Sequence, residues 1–313
     1  MIKIAVVGTG IIGEEHLLSI SASSDFMLVA VCDTNIEKAS FFSNKYGVPF
    51  FTDYNDIPSK TEAEAVIINL PHGLHLEATV FFLQNGLHVL LEKPMANSTD
   101  ECEIMISTEK KSGKKLAIGH VQRFFSANRF IKEYISSGKI GKLFAINELR
   151  SINYFAETRP KWFLSKKMAG GGIVMNYGAH VLDKILYITG EQIVDIASVC
   201  GNLLQGREIE GHAQFLVKMS GGISANVTFS GYSSVGYETM YIGTEGVVKL
   251  SGGTVSAFEN GEWKTVYNDK DTLYMYRELC EFSKLVRGEK NEMPRAEYGR
   301  EIISAIEKIY GEK

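Results

Sequence analysis

Apolar and polar positions alternate regularly over the first 120 residues. Short apolar runs at 3–7, 28–32, 65–69, 88–91 and 115–118 predict strands. Between them, stretches with the helical period predict helices at 11–21, 36–46, 75–85 and 99–112. Strands that alternate with helices in this way indicate an α/β fold with a doubly wound parallel sheet.

The pattern changes after residue 120. A predicted strand at 143–152 lies between helical stretches at 127–137 and 174–188, and further helices are predicted at 273–287 and 296–310. Between 194 and 267, short strands recur, separated by turns such as Ser251-Gly252-Gly253 and Asn260-Gly261, as antiparallel hairpins require. We therefore expect two domains, 1–120 with the parallel sheet and 121–313 with an α+β arrangement.

The first strand runs directly into a Gly-x-Gly-x-x-Gly turn at residues 8–13. Gly8 allows the tight turn, Gly10 lets the backbone approach a pyrophosphate, and Gly13 lets the next helix pack against its strand. That helix would point its free N–H groups at the pyrophosphate. The alternative is a turn without a ligand, because any tight turn can use glycine. The cofactor-binding residues predicted here are Gly8, Thr9, Gly10, Ile11, Ile12 and Gly13.

The end of the second strand supports the dinucleotide interpretation. Asp33 lies twenty residues beyond Gly13, where a carboxylate accepts hydrogen bonds from the adenosine ribose hydroxyls. The same charge would repel the additional phosphate of NADP, and no arginine follows closely, so we expect NAD as the cofactor. Lys38 leaves NADP open. The first domain is therefore predicted to be a Rossmann domain.

Composition excludes several classes of partner. The 313 residues are 45% apolar with a formal net charge of -4 and a pI near 6.0, so no basic excess predicts nucleic-acid binding. No stretch approaches the roughly 20 apolar residues of a membrane span. Residues 1–7 are too short for the apolar part of a signal peptide. We expect a cytoplasmic protein with a small-molecule partner.

The cysteines and histidines predict neither a metal site nor a nucleophile. The cysteines at 32, 102, 200 and 280 lie far apart and are expected to be reduced thiols in strands and helices. His72, His75 and His120 have no common ligand spacing, and His16 lies on the first helix. We therefore expect no bound metal.

Polar residues follow the third, fourth and fifth predicted strands. Because ligands of parallel sheets bind beyond the carboxyl ends of the strands, we expect these segments on one rim, facing the nicotinamide half of the cofactor. Asn69, Pro71, His75, Glu92 and Lys93 are the predicted cofactor contacts on this rim.

With these segments, the chain resembles the Gfo/Idh/MocA oxidoreductases, named for glucose-fructose oxidoreductase and inositol 2-dehydrogenase. The resemblance spans nearly the whole chain. It is carried by the glycine turn, Asp33, Pro71 with His75, Glu92-Lys93-Pro94, Gln122-Arg123-Phe124, and Gly170-Gly171-Gly172 followed by Asn176, Gly178, His180 and Asp183. It implies a C-terminal domain with a large open antiparallel sheet, through which a homodimer or homotetramer would form.

The resemblance also implies the catalytic residues. In the family, the lysine of Glu-Lys-Pro, here Lys93, lies near the nicotinamide, where it can favour a developing alkoxide. Asn176 and His180 share a helix face because they are four residues apart. Many relatives have aspartate at the first of these positions, and asparagine cannot raise the basicity of His180 by charge. Either His180 or Lys93 is the base, and we favour His180. Asp183 could supply the missing carboxylate or could have a capping or packing role.

The remaining candidates concern the substrate. Gln122 and Arg123 follow the fifth strand and could bind substrate hydroxyls or the cofactor amide, although Arg123 could instead bridge the two domains. Tyr154, Arg159 and Trp162 lie in a loop whose aromatic faces and donors suit a polyol.

These residues predict an NAD(P)-dependent dehydrogenase that transfers hydride between nicotinamide and a secondary alcohol of a sugar, inositol or related polyol. Two alternatives stay open. One is an enzyme of the same fold that cleaves glycosides and regenerates its NAD in each cycle. The other is a cofactor-binding sensor without turnover, suggested by the missing carboxylate at Asn176.

Overall fold

The computed structural model describes residues 1–311 of the chain. They divide into two compact units. The first combines Met1–Val121 with Leu273–Ile303, and the second combines Gln122–Thr272 with the residues from Ser304 onward. This division differs from the predicted one, because residues 273–303, which the sequence pattern places in the second domain, belong to the first unit.

Six parallel strands form the sheet of the first unit. They are β1 (Ile2–Val7), β2 (Phe26–Cys32), β3 (Phe50–Phe51), β4 (Ala65–Ile68), β5 (His88–Glu92) and β6 (Leu116–Gly119). Their order is β3–β2–β1–β4–β5–β6, so the direction of winding reverses between β1 and β4. Ligands of such sheets bind at that reversal. The five predicted strands are confirmed, and β3 is too short to show a period.

Local sequence signals account for the helices that connect these strands. The Asn35 side chain accepts a hydrogen bond from the Lys38 N–H at the start of α2, and Ser98 accepts one from the Glu101 N–H at the start of α5. The helices are α1 (Ile11–Ser21), α2 (Ile36–Tyr46), α3 (Ile57–Lys60), α4 (His75–Gln84) and α5 (Thr99–Ser112). The predicted helices are confirmed to within one residue, apart from the short α3.

The core of the first unit lies in the centre of its sheet. Val66, Ile67 and Leu91 are completely buried, as is most of β1. A parallel sheet with both faces covered needs strands that are apolar on both sides. This explains why the sequence shows continuous apolar runs here rather than strict alternation.

An eight-stranded sheet forms the second unit. Its strands are β7 (Leu143–Ser151), β8 (Ile193–Gly201), β9 (His212–Met219), β10 (Ser224–Ser230), β11 (Gly236–Gly243), β12 (Val247–Ser251), β13 (Thr254–Glu259) and β14 (Glu262–Asn268). Their order is β14–β13–β12–β11–β7–β10–β9–β8. The large sheet is confirmed, but β7 and β10 pair in parallel, so the sheet is mixed. The hairpin turns in the sequence predict only pairs of consecutive strands, so they do not predict the pairing of β7 with β10, which are far apart in sequence.

The strands of this sheet bury one face. In β9, Phe215 and Val217 are buried, whereas Leu216 and Lys218, which alternate with them, are exposed. The second unit also contains α6 (Ser126–Ser136), α7 (Lys166–Ala169) and α8 (Ala179–Thr189). A buried ion pair joins α8 to the covered face: Lys184 Nζ lies 2.7 Å from Glu148 Oε2 on β7 and 2.6 Å from Thr239 Oγ1 on β11.

Two helices follow the sheet of the second unit, α9 (Tyr274–Val286) and α10 (Ala296–Tyr310). Within the first unit, Phe282 of α9 stacks on Phe26 of β2, with ring centroids 6.1 Å apart. Asp25 accepts a hydrogen bond from the Ser283 hydroxyl at 2.8 Å and pairs with Arg287 at 2.8 Å. These contacts explain why residues 273–303 belong to the first unit.

None of the helices within residues 1–311 has the length and hydropathy that crossing a bilayer requires.

We predict that Lys184→Ala destabilises the second unit strongly. The substitution leaves the Glu148 carboxylate buried without its ammonium partner, and such a change costs about 3–5 kcal/mol. Chemical denaturation followed by tryptophan fluorescence measures it, because both tryptophans, Trp162 and Trp263, lie in this unit. Lys264→Ala removes the exposed pair with Glu262 in the same unit and is the control, with an expected cost below about 1 kcal/mol. Equal losses in the two variants would contradict the prediction.

Candidate functional site

The glycine turn brings three backbone segments of the first unit close together. Gly8 has a φ of +86°, and a Cβ on Gly13 would overlap the Gly8 carbonyl oxygen. A Cβ on Gly8 would likewise overlap the Asn69 carbonyl oxygen, whereas the same position on Gly10 has no atom within 4 Å. Gly8 and Gly13 are therefore required by the protein's own packing, and Gly10 leaves open space at the start of α1.

Asp33 connects the ends of β1 and β2. Its Oδ2 accepts hydrogen bonds from the Thr9 N–H and hydroxyl, both at 2.9 Å. Its Oδ1 accepts one from the Asn35 N–H at 2.9 Å. A carboxylate offers about four acceptor positions, so one of them stays open to a ribose hydroxyl.

The segment after β4 supports the glycine turn. The Asn69 N–H donates to the Val7 carbonyl at 2.8 Å, and the Asn69 Nδ2 donates to the Gly8 carbonyl at 3.3 Å. Pro71 follows in extended backbone, and its carbonyl accepts from the Leu74 N–H at 2.9 Å. Asn69 and Pro71 therefore lie at the carboxyl end of the sheet, as the sequence predicts, where Asn69 also holds Gly8 in place.

His75 packs inside the first unit at the start of α4, so the structure gives its side chain a packing role, and a contact with the cofactor stays a prediction. Its ring is completely buried, with Nδ1 2.9 Å from the Pro94 carbonyl oxygen and Nε2 2.8 Å from the Leu70 carbonyl oxygen. Burial lowers the pKa of His75, although both carbonyls act to raise it. The imidazole thus links the segment after β4 to the segment after β5, and it holds the Pro94 carbonyl next to Lys93 in place.

The Glu92 carboxylate also makes its contacts within the protein. Its Oε2 accepts a hydrogen bond from the Lys93 N–H at 3.2 Å, and its Oε1 lies 3.1 Å from His16 Nε2. The Lys93–Pro94 peptide bond is cis. The Glu92 side chain therefore holds the Lys93 backbone and links it to α1.

His16 and Glu278 form a buried group with Glu92 that the sequence pattern does not reveal. One ligand atom of each lies within 4.8 Å of the other two, and His16 and Glu278 have no exposed surface. The three residues come from α1, the end of β5 and α9, so no local spacing connects them. The hydrogen bond between His16 and Glu92 explains the proximity of these two side chains.

In the second unit, the triple glycine precedes the helix that carries Asn176 and His180. A Cβ on Gly171 would overlap the Tyr310 hydroxyl, and a Cβ on Gly172 would overlap the Glu210 carbonyl oxygen. These glycines therefore allow the Tyr310 side chain and the Glu210 backbone, both from distant parts of the chain, to approach the start of this helix.

Glu210 and Tyr310 hold that helix start through its backbone. The buried Glu210 carboxylate accepts hydrogen bonds from the N–H groups of Gly172 and Val174, each at 2.8 Å, and from the Tyr310 hydroxyl at 2.9 Å. The Tyr310 oxygen in turn accepts from the Met175 N–H at 3.1 Å. Burial raises the pKa of Glu210, whereas the backbone hydrogen bonds lower it. Neither residue was predicted, because the glycines indicate a close approach but not the group that approaches.

The helix itself starts with a π-helical turn, Val174–Gly178, before α8 begins at Ala179. Asn176 therefore lies in the π-turn and His180 in α8, and because residues four apart stay on one side of either kind of helix, their shared face stays a prediction. The ring of Tyr177, next to Asn176, has its centroid 6.3 Å from that of His180 and 6.3 Å from that of Tyr154. Such turns are frequent at functional sites.

Tyr154 is completely buried beside Asn176. Burial raises the pKa of its hydroxyl, and the charge of Arg159 and the Asn176 amide act in the opposite direction. The Arg159 guanidinium lies 4.0 Å from the centroid of the Tyr154 ring. Trp162 lies next to Phe163, with ring centroids 3.7 Å apart. The loop that the sequence assigns to the substrate thus adjoins Asn176 through Tyr154.

Gln122, Arg123 and Asp183 have partners within the second unit. Arg123 forms an ion pair with the completely buried Asp183 carboxylate. The Gln122 Oε1 accepts a hydrogen bond from Asn128 Nδ2 at 3.2 Å, as does its backbone carbonyl at 2.7 Å. The ion pair gives Asp183 a packing role in the second unit.

Two family models match the chain. The family model described as "Oxidoreductase family, NAD-binding Rossmann fold" matches residues 2–120, and the model described as "GFO/IDH/MocA C-terminal domain" matches residues 128–249. Together the two models cover most of the chain.

Two curated relatives are dehydrogenases by name. The 1-carboxy-3-chloro-3,4-dihydroxycyclohexa-1,5-diene dehydrogenase of Comamonas testosteroni is 32% identical over 74% of this chain, and the D-glucoside 3-dehydrogenase of Escherichia coli is 28% identical over 60%. The matched segments span 58% and 54% of those relatives' lengths.

Solved structures share the fold. The aldose-aldose oxidoreductase of Caulobacter crescentus, complexed with glycerol, has a TM-score of 0.89 at 23% identity, covering 99% of this chain and 96% of its own. The WlbA dehydrogenase of Bordetella pertussis, in complex with NADH and UDP-GlcNAcA, has a TM-score of 0.85 at 20% identity, with coverages of 99% and 94%.

We predict that Glu210→Ala destabilises the second unit. The substitution leaves the Gly172 and Val174 N–H groups buried without an acceptor, and each such group costs roughly 1–3 kcal/mol. Glu210→Gln, which keeps one acceptor oxygen, should lie between the alanine variant and the wild type in denaturant titrations. Glu208→Ala, at an exposed position of the same loop, is the control and should change stability by less than about 0.5 kcal/mol. Similar losses for Glu208→Ala and Glu210→Ala would contradict the anchoring role.

Proposed function

Because the chain belongs to the Gfo/Idh/MocA family of oxidoreductases, whose first domain is an NAD-binding Rossmann fold, we propose that it transfers a hydride between nicotinamide and a secondary alcohol of a sugar, inositol or related polyol. Relatives named inositol 2-dehydrogenase and D-glucoside 3-dehydrogenase support this substrate class. The observation that carries the proposal is a backbone turn open to a pyrophosphate in the same unit as an anchored Lys93.

The residues of the glycine turn fit a dinucleotide. Helix α1 has Gly10 at its N-cap and no capping side chain, so its first N–H groups can bind a pyrophosphate. Ile11 and Ile12 next to this start are 79% and 39% exposed, although both are apolar. Gly8, Thr9, Gly10, Ile11, Ile12 and Gly13 would hold the cofactor, which supplies the hydride acceptor.

Asp33 supports a preference for NAD over NADP. Its open acceptor position suits the ribose 2′-hydroxyl, and its charge opposes a phosphate at the same place. Asn69 and Pro71 complete the set of cofactor residues proposed at this edge of the sheet. His75 and Glu92 are proposed to contribute indirectly, by holding the Lys93-Pro94 backbone in place.

Lys93 is proposed to polarise the reacting hydroxyl. An ammonium held at a fixed backbone position can stabilise the alkoxide that develops as the hydride leaves. The anchors on both sides of Lys93, namely the Glu92 carboxylate on its N–H and the His75 ring on the Pro94 carbonyl, restrict the backbone that carries it. Positioning of this kind lowers the entropic part of the barrier.

In the second unit, His180 is proposed as the proton acceptor and Asn176 as the residue that orients the substrate hydroxyl. The pKa of the buried Tyr154 is raised, so this phenol stays protonated at neutral pH and contributes no charge beside Asn176. A histidine imidazole can accept a proton at neutral pH, which suits this role. Gln122, Arg123 and Trp162 are proposed to line the substrate site, with Arg123 held by Asp183.

Location and assembly are also proposals. Within residues 1–311 all four cysteines are free thiols, which supports a reducing, cytoplasmic location. The outer face of the second unit's sheet exposes Leu149, Val199 and Leu216. A second copy of the chain could cover this face, and we propose a homodimer or homotetramer formed through it.

We predict that Lys93→Ala abolishes turnover and leaves cofactor binding intact. The substitution removes the ammonium but not the Lys93 N–H that Glu92 binds, so kcat should fall by at least about 100-fold, the scale of a lost electrostatic stabiliser. The assay follows NADH formation across a polyol panel, with Kd for NADH from fluorescence titration. Lys114→Ala, outside this segment, is the control. A Kd that rises as much as kcat falls would argue against the assigned role.

A second prediction concerns cofactor choice. Asp33→Asn keeps the size of the side chain and removes its charge, so the ratio of the Kd values for NADPH and NADH should fall by about tenfold, equivalent to roughly 1.4 kcal/mol. Fluorescence titration with both nucleotides measures this ratio. Asp53→Asn, at another loop aspartate of the unit, should leave it unchanged. An unaltered ratio in Asp33→Asn would show that this carboxylate serves only to hold Thr9 and Asn35.

A further inference from the structure

The three arginines near the candidate residues of the second unit differ in their ionic partners. Arg123 pairs with Asp183, and the Arg150 guanidinium lies 3.6 Å from Glu148 Oε1. Arg159 forms no ion pair with any acidic side chain among residues 1–311. Its Nε is buried and has no hydrogen-bond partner within that range.

Two aromatic rings fix the position of this unpaired charge. The Arg159 guanidinium lies 4.0 Å from the centroid of Tyr154 and 5.1 Å from that of Phe163. A guanidinium stacked on rings is restricted through its face, and its N–H donors point outward from its edge. Those donors match the planar fork of a carboxylate or two oxygens of a phosphate.

The segment around Arg159 is positively charged, like Arg159 itself. Between residues 157 and 167 stand Arg159, Lys161, Lys166 and Lys167 against one acid, Glu157, in a chain whose net charge is -4. The three lysines are exposed and form no ion pair within the described residues. The loop therefore presents a local positive potential, which attracts anions.

Tyr154 connects this charge to the substrate residues. Its ring contacts Arg159, and its buried hydroxyl lies beside the Asn176 amide, whose neighbour Tyr177 adjoins His180. We propose that Arg159 forms a subsite for an oxyanion on the substrate, so that the preferred substrate is an acidic polyol, a sugar acid or a sugar phosphate, rather than a neutral one. This inference rests on the proposed function, since it specifies the substrate class of the same site.

The experiment compares matched trios that differ only in the anion, such as D-glucose, D-glucuronate and D-glucose 6-phosphate, and the corresponding galactose set. For each compound, kcat and KM are measured with NAD, and binding to the NADH-loaded full-length protein is measured by calorimetry. The acid and the phosphate arms show which oxyanion the subsite takes.

In the wild type, the anionic members of a trio should have a KM and a binding Kd about tenfold or more below those of the neutral member, the scale of a charge-assisted pair. Arg159→Met should erase this difference by raising KM and Kd for the anionic members to those of the neutral sugar. Arg159→Lys, which keeps the charge but loses the fork, should retain part of it.

Arg207→Met is the matched control. Arg207 also lies over an aromatic ring, 5.8 Å from the centroid of Phe155, but it is exposed in another loop, so its loss should not alter the preference. Thermal melts of all three variants identify any loss of folding caused by removing a side chain that packs on Tyr154. If Arg159→Met fails to fold, Arg159→Lys decides the question: a reduced anion preference supports the subsite, and an unchanged preference contradicts it.

Equal use of neutral and anionic members by the wild type would overturn the inference while leaving the proposed dehydrogenase in place. An anion preference that persists in Arg159→Met would overturn it as well. If anionic polyols bind the NADH-loaded protein through Arg159 but no compound is oxidised, the subsite stands and the proposed reaction fails. Absence of both binding and turnover throughout the panel would overturn the subsite too.

Discussion

Both candidate sites depend on the close approach of one backbone segment to another. Gly13 packs on the carbonyl of Gly8, and Gly172 packs on the carbonyl of Glu210, at separations where a Cβ would overlap the oxygen. The first contact sets the start of α1 beside the end of β1, and the second sets the start of the helix that carries Asn176. Any side chain at either position would move the helix that presents the functional groups.

Buried carboxylates then fix the segments that these contacts bring together. Glu92 holds the Lys93 N–H, and Glu210 holds the N–H groups of Gly172 and Val174. A backbone donor in a buried position costs free energy when its acceptor is lost, so each carboxylate restricts the conformations available to its segment. The residues proposed for chemistry are thus carried on backbone that is positioned before substrate binds, which is what efficient catalysis requires.

The parts that follow from sequence are those with a local cause. Helices α1, α2 and α5 span the residues that their periods predict, and α2 and α5 also start at the capping side chains of Asn35 and Ser98. The open sheet follows from strands separated by glycine turns. The assignment of residues 273–303 to the first unit has no local signal, because it depends on Phe282 meeting Phe26. The π-turn at Val174–Gly178 could not be predicted either, because its neighbours Glu210 and Tyr310 are 36 or more residues away in the chain. Sequence identifies the candidate residues better than it identifies what supports them.

The neutral side chain of Asn176 suits the charge already buried around it. Burial and the charge of Glu210 both raise the pKa of Tyr154, and the charge of Arg159 lowers it, so charged groups of both signs lie near this hydroxyl. An aspartate at position 176 would add a second carboxylate to the same environment, and two like charges that share a buried site cannot both ionise without cost. Asparagine avoids that cost and keeps both a donor and an acceptor for the substrate. The Glu210 carboxylate then holds the Gly172 and Val174 N–H groups without a second carboxylate at the turn that precedes His180.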